Sequence, residues 1–426
     1  MSPTTELRAG AARADMTPPA GTPLCGGWWP VAAKGIKTPL QAHALVLDNG
    51  AARLAFVGLD LIAIRAKDAD AAKARIEKKL GIPRENILAS CSHIHDGPYM
   101  APLMGKVDCI RPEVVARVMD AIVEAVTEAC GRMVPAEVGW GATEVRGYGE
   151  NRRRFVGDGE DVWNTWCLPV EMAATRPAGP VDDALPLLAV RDRRTHRPLA
   201  LLWNYTLHAH SFWSGHISAD YPYYTWQEVA KALGEDVVMV FTAGACGDIN
   251  RDSGTDAGAM VRDMGRAILD LYGRLEFTSK AALRGRIEPM ELALRDFSVF
   301  QEAEIRRKQP EVVEVAREEW EVLRAWKEKT VRTTVHAMAV GDFAVAGSPG
   351  EYFCALGLDI KKRSPFAVTA VAELSDDYVG YIPTDRAFDQ GGYEVWNLRS
   401  SKVARGSGEK IADKLAEMLR AIHKAR

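Results

Sequence analysis

Four of the nine histidines in this 426-residue chain stand in two H-x-H tips, His93/His95 and His208/His210. Imidazole serves either as a metal ligand or as an acid–base group near neutral pH. In Ser92-His93-Ile94-His95-Asp96-Gly97-Pro98 the tip follows the apolar run Ile87-Leu88-Ala89-Ser90-Cys91. Alternate side chains of extended backbone share a face, so His93 and His95 address one region. The second tip ends Trp203-Asn204-Tyr205-Thr206-Leu207-His208-Ala209-His210, with His216, Asp220, Trp213, Tyr221, Tyr223 and Tyr224 close behind. Two such tips brought together offer the imidazoles of a zinc site. By itself H-x-H is weakly specific, and hydrogen-bonded loop histidines are the plain alternative. A second metal position at His210, His216 and Asp220 stays open.

Three other segments leave apolar runs with polar or small residues. Thr242-Ala243-Gly244-Ala245-Cys246-Gly247-Asp248-Ile249-Asn250 lets backbone amides approach a ligand, and amides near Gly247 are candidate oxyanion donors. Cys246 as a nucleophile needs a base and an electropositive setting; a buried inert thiol is the alternative. Glu351 in Gly347-Ser348-Pro349-Gly350-Glu351-Tyr352 reads on its own as a charge at a helix start. The tyrosines of Asp376-Asp377-Tyr378-Val379-Gly380-Tyr381 and Tyr393-Glu394 read singly as packing residues.

The elements that must position these groups follow from periodicity. Two apolar runs around Asp48-Asn49-Gly50 predict a hairpin over 42–64. Helical spacing covers 67–80, 111–131, 222–234, 255–274, 299–329 and 407–424; strands are expected at 86–92, 236–242 and 366–373. Further hairpins turn near Arg194-Thr195-His196 and at Gly341-Asp342. Residues 148–182, rich in Gly, Arg and Trp, read as a long loop over the site. Strands alternate with helices, yet several neighbours are hairpins. The expected fold is therefore α/β, with mixed sheets flanked by helices in one layered domain over 1–426.

Composition narrows the function classes. Lys plus Arg total 54 against 57 for Asp plus Glu, which argues against a nucleic-acid partner. The run Asn151-Arg152-Arg153-Arg154 needs a local explanation instead. Seven unpatterned cysteines suit a reducing compartment. Met1 to Glu6 lack the features of a signal peptide, and no run approaches ~18 apolar residues, so membrane insertion is not expected and the cytoplasm is.

Taken together, these segments resemble the catalytic domain of the neutral, non-lysosomal ceramidase family. The likeness starts at Gly10-Ala11-Ala12-Arg13-Ala14-Asp15-Met16-Thr17-Pro18-Pro19. It runs through S-H-I-H-D-G-P, the His208 tip, G-D-I-N, S-P-G-E-Y and D-Y-V-G-Y-I-P-T in order. The resemblance implies one zinc ion, with manganese or iron as lesser alternatives, held by His93, His208, Glu351 and Tyr381. It places His95 and Arg152 at the reacting centre and Tyr393-Glu394 just outside it. Metal-activated hydroxide would then attack a carbonyl, with His95 moving the proton and Arg152 and the Gly247 region stabilising the oxyanion.

Two departures shape the substrate expectation. Where the family carries a serine, this chain has Asn250, which cannot act as an alkoxide nucleophile. The chain also ends about where the catalytic domain would, before the family's immunoglobulin-like domain. The expected partner is accordingly a small soluble amide, or an ester or lactone, rather than ceramide. A catalytically silent metal-binding homologue is the reading from another class. Oligomeric state is left open.

Overall fold

The hairpin around Asn49 begins the main sheet, because alternate apolar residues on its arms bury both faces, Val46 and Val57 on one and Leu45, Leu47 and Phe56 on the other. A computed structural model describes residues 6–103, 107–168 and 175–425. Its larger sheet has eight strands: β1 (Arg8–Asp15), β2 (Gln41–Asp48), β3 (Arg53–Leu59), β4 (Ile87–Cys91), β5 (Val134–Glu144), β6 (Ala184–Asp192), β7 (Pro198–Tyr205) and β8 (Val238–Ala243). Their order is β8-β7-β6-β5-β1-β2-β3-β4. Neighbours are antiparallel except β3/β4 and β7/β8, which are parallel. A second sheet holds β9 (Leu283–Ala293), β10 (Thr330–Val340), β11 (Phe343–Gly347) and β12 (Val368–Ala372), with β11/β12 parallel.

The two sheets face each other. Leu45, Phe56, Leu188 and Leu202 of the first share one core with Met338, Phe343 and Val345 of the second. Each fully buried side chain of this kind contributes roughly 1.5–3 kcal/mol. Helices Ala66–Leu80, Pro112–Gly131, Asp220–Leu233 and Ala257–Tyr272 cover the outer side of the large sheet. Helices Val313–Arg324, Cys354–Arg363 and Ser407–Lys424 cover the small one. The result is a mixed α/β architecture of helix, sheet, sheet and helix layers.

One bend matters for function. β1 and β5 pair only through Arg8 and Ala9, so the large sheet can fold on itself beyond that point. Its edge strand β8 then lies against β3: a Cβ on Gly58 would stand 2.8 Å from the Phe241 carbonyl oxygen. Only glycine permits that approach, and it brings the carboxyl ends of the two parallel pairs together.

The expectation of a long loop over 148–182 is corrected. Gly149–Asn151 pairs with Ile249–Arg251, and Arg153–Val156 lies between Val162–Asn164 and Thr175–Pro177 in a small sheet. Residues 169–174 of that span, like the first five of the chain, lie outside the described residues. Strands of three or four residues are too short to show a period. The long strands β5 and β9 also carry Pro, Gly and exposed charges that hide their alternation. Among the described residues no helix is long and apolar enough to cross a membrane.

Candidate metal centre

Each parallel strand pair of the two main sheets delivers a site residue beyond its carboxyl end, where open α/β sheets place their sites. His93 follows β4, His208 follows β7 and Glu351 follows β11. The parallel partner of each supplies a support. Ile62, after β3, accepts from His93 Nδ1 at 3.1 Å; Ile249, after β8, accepts from His208 Nδ1 at 3.1 Å. Glu373, after β12, accepts the Tyr352 N–H beside Glu351 at 2.9 Å. His93 takes a left-handed φ of 63° to turn its ring inward, a conformation that costs energy outside glycine.

A carbonyl only accepts, so each Nδ1 must carry the proton and each neutral ring keeps its lone pair on Nε2. Those two atoms meet one carboxylate: Glu351 Oε2 lies 3.4 Å from His93 Nε2 and 3.6 Å from His208 Nε2. His95 completes the group, with ligand atoms of His93, His95 and His208 all within 4.8 Å of one another. His93 Nε2, His95 Nε2 and Glu351 Oε2 are buried without hydrogen-bond partners. Buried polar atoms are rarely left so. Nitrogen and carboxylate donors converging on one point fit a divalent transition metal. Tyr378 donates to the other oxygen, Glu351 Oε1, at 2.8 Å and fixes the carboxylate's rotation.

The electrostatics of the rings diverge. Burial opposes charge on His93, but Glu351 outweighs it and raises the pKa above its ordinary value. Burial and then the Arg152 guanidinium push His208 down to about 3. Burial, with His210, His93 and His208 nearby, holds His95 well below the imidazole range. The same two imidazoles keep Glu351 ionised against the cost of burial.

Arg152 ties the remaining groups together. Its Nη1 lies 3.0 Å from His208 Nε2 and 3.2 Å from Asn250 Oδ1, and its Nη2 donates to the Tyr381 hydroxyl at 3.0 Å. Its Nε donates to Glu394 at 2.8 Å, and Arg153 donates to the other Glu394 oxygen at 2.7 Å. The arginine run is thereby explained: one buried carboxylate holds two consecutive guanidinium groups that could not be buried unpaired.

The structure thus gathers His93, His95, His208, Glu351, Arg152, Asn250 and Tyr381 into one site. Glu351 and Tyr381 stand side by side because Glu351–Tyr352 and Tyr381–Ile382 pair in parallel. Gly247 has another part from the one expected. Its N–H donates to the Tyr352 carbonyl at 3.0 Å, which uses up the oxyanion donor. Its missing side chain lets the Glu351 backbone approach, since a Cβ would sit 2.5 Å from the Glu351 carbonyl oxygen.

Asp220 accepts the Ser211, Phe212 and Tyr221 amides, and His216 pairs with the Ser214 carbonyl. Together with His210 they form no second metal cluster among the described residues. The Cys246 thiol is buried, donates to Glu373 at 3.0 Å and is pushed well above its usual pKa, unlike an activated nucleophile. The sequence marks Tyr378 only as a packing residue and gives no signal for Glu373, because neither falls in a recognisable spacing with its partner.

This arrangement of layers is a ceramidase-like fold. No family model matches the chain, and no curated protein matches it in sequence. Solved structures do. Neutral ceramidase from Pseudomonas aeruginosa superposes with a TM-score of 0.72 at 16% identity, covering 99% of this chain and 75% of that one. A ceramidase complexed with C2 gives 0.73 at 15%, covering 99% and 76%.

Proposed function

We propose that the protein is a zinc-dependent hydrolase that cleaves an amide bond of a small substrate, with His93, His208, Glu351 and Tyr381 holding the ion. The observation that carries this reading is the convergence of His93 Nε2, His95 Nε2 and Glu351 Oε2, all buried and unpartnered, with His208 Nε2 beside them. The bound ion supplies Lewis acidity and brings the pKa of water from about 15.7 to about 7. The fold neighbours, both ceramidases and so amide-cleaving by name, support the same class.

The chain's own groups divide the remaining work. Burial raises the Tyr381 phenol well above its usual pKa, and Arg152 opposes that shift; the guanidinium is what makes a phenolate ligand attainable. His208 Nε2 has a single lone pair, so Arg152 and a cation cannot share it. With a cation there, Arg152 Nη1 would keep its 3.2 Å bond to Asn250 and offer its other hydrogen to the developing acyl oxygen. Asn250 has no nucleophilic atom and aims the guanidinium. His95, held neutral, accepts a proton and returns it to the leaving nitrogen.

Elemental emission on the purified protein should give one zinc per chain. Chelation should abolish hydrolysis across an amide library, and zinc should restore it. Turnover of esters or lactones alone would transfer the site to that reaction class. Full zinc occupancy without turnover of amide, ester or lactone would reject the enzyme reading in favour of a silent metal-binding protein.

A further inference from the structure

Indoles from separate segments surround the metal centre. Tyr393 lies edge-on to Tyr381 at 5.5 Å, and carries Trp28 at 5.6 Å and Trp166 at 5.8 Å. Trp166 is 44% exposed, and the Arg152 guanidinium stands 5.2 Å from its ring centre. The segment bearing Trp28 is seated on the histidines: Cys25 N–H donates to the Gly97 carbonyl at 2.9 Å, and the Gly26 backbone lies against the His95 ring. On the other flank His95, His210 and Trp213 form a line of rings at 4.9 and 5.4 Å.

The two flanks differ in chemistry. Arg152 stands on the Tyr393 side and His95 on the Trp213 side. Under the proposed division of work, the acyl oxygen faces Arg152 and the leaving nitrogen faces His95. The acyl group therefore enters the box of Trp28, Trp166 and Tyr393. Its walls are flat and stiff, with edge-on neighbours, and such faces favour an offset or edge-on ring over a flexible chain.

We infer that this site takes amides whose acyl part carries an aromatic ring, bound between Trp28, Trp166 and Tyr393. This rests on the hydrolase reading for the orientation of the amide. Hydrolysis adds water across the C–N bond and gives an aryl-bearing carboxylic acid and an amine.

The test compares N-ethyl-2-phenylacetamide with N-ethyloctanamide, which have equal acyl carbon numbers, on the zinc-loaded protein. Binding is read by quenching of tryptophan fluorescence and turnover by release of ethylamine. The phenyl compound should bind more tightly, and Trp166→Leu and Trp28→Leu should each cut its advantage by roughly 2- to 10-fold. The two substitutions are independent, so either folded variant suffices. An advantage for the octanoyl compound, no saturable quenching by the phenyl compound, or a preference untouched by both substitutions would overturn the inference. A ring preference in binding without any turnover would instead defeat the hydrolase reading alone.

Discussion

The two histidine tips share a backbone device and part company in charge. Each anchors Nδ1, at 3.1 Å, on a carbonyl that lies beyond the end of the parallel strand beside it, and turns Nε2 toward Glu351. Around His93 the dominant neighbour is the carboxylate, and its pKa rises. Around His208 burial, and then the Arg152 guanidinium 3.0 Å away, bring the pKa down to about 3. The same H-x-H spelling thus yields one imidazole that welcomes a proton and one that refuses it. What lies across the pocket, rather than the motif, sets the chemistry.

The largest effect that tests this comparison is loss of either ring. His93→Ala and His208→Ala should both reduce bound zinc to background, measured by emission; zinc retained by either variant would remove that residue from the ligand set. Next, Tyr378→Phe frees Glu351 Oε1 and should weaken zinc binding roughly 10- to 100-fold in a chelator competition, as losses of a ligand's hydrogen-bond partner do.

The pH dependence of the chelated protein should separate the tips by sign. The raised pKa of His93 gives stability that is full below its ordinary 6.5 and lost as pH rises through the raised value. The depressed pKa of His208 gives stability present above 6.5 and lost as pH falls toward about 3. In melting curves, His93→Asn should flatten the alkaline limb and His208→Asn the acid limb; the reverse assignment would refute the comparison. Smallest is Cys246→Ala, which removes one thiol hydrogen bond to Glu373. It should cost about 1 kcal/mol of stability and leave hydrolysis intact, whereas loss of hydrolysis with zinc still bound would revive a thiol nucleophile.

Much of the fold was legible where a long period met a clear stop. The helix ending before Gly81, the hairpin at Asn49-Gly50 and the helix Ser407–Lys424 lie within a few residues of their expected bounds. The short strands over 149–177 were not legible, because three or four residues show no period and Arg153, Asn164 and Glu394, far apart in the chain, tie them down. In the site, the histidines announced themselves by spacing. Glu351 and Tyr381 did so only through resemblance, since a lone Glu or Tyr has no local signature. The donor role expected of Gly247 went to the Tyr352 carbonyl, a competitor invisible in the chain.

The sequence by itself determined which residue types stand at strand ends, and hence that imidazole and carboxylate chemistry was on offer, because strand and turn propensities act over a few residues. Only the tertiary structure decided that β3 meets β8 through Gly58, that Arg152 is shared among His208, Asn250, Tyr381 and Glu394, and that His93 and His208 lean on the Ile62 and Ile249 carbonyls. Those are contacts between segments tens to hundreds of residues apart, and their energies depend on distance in space and on burial.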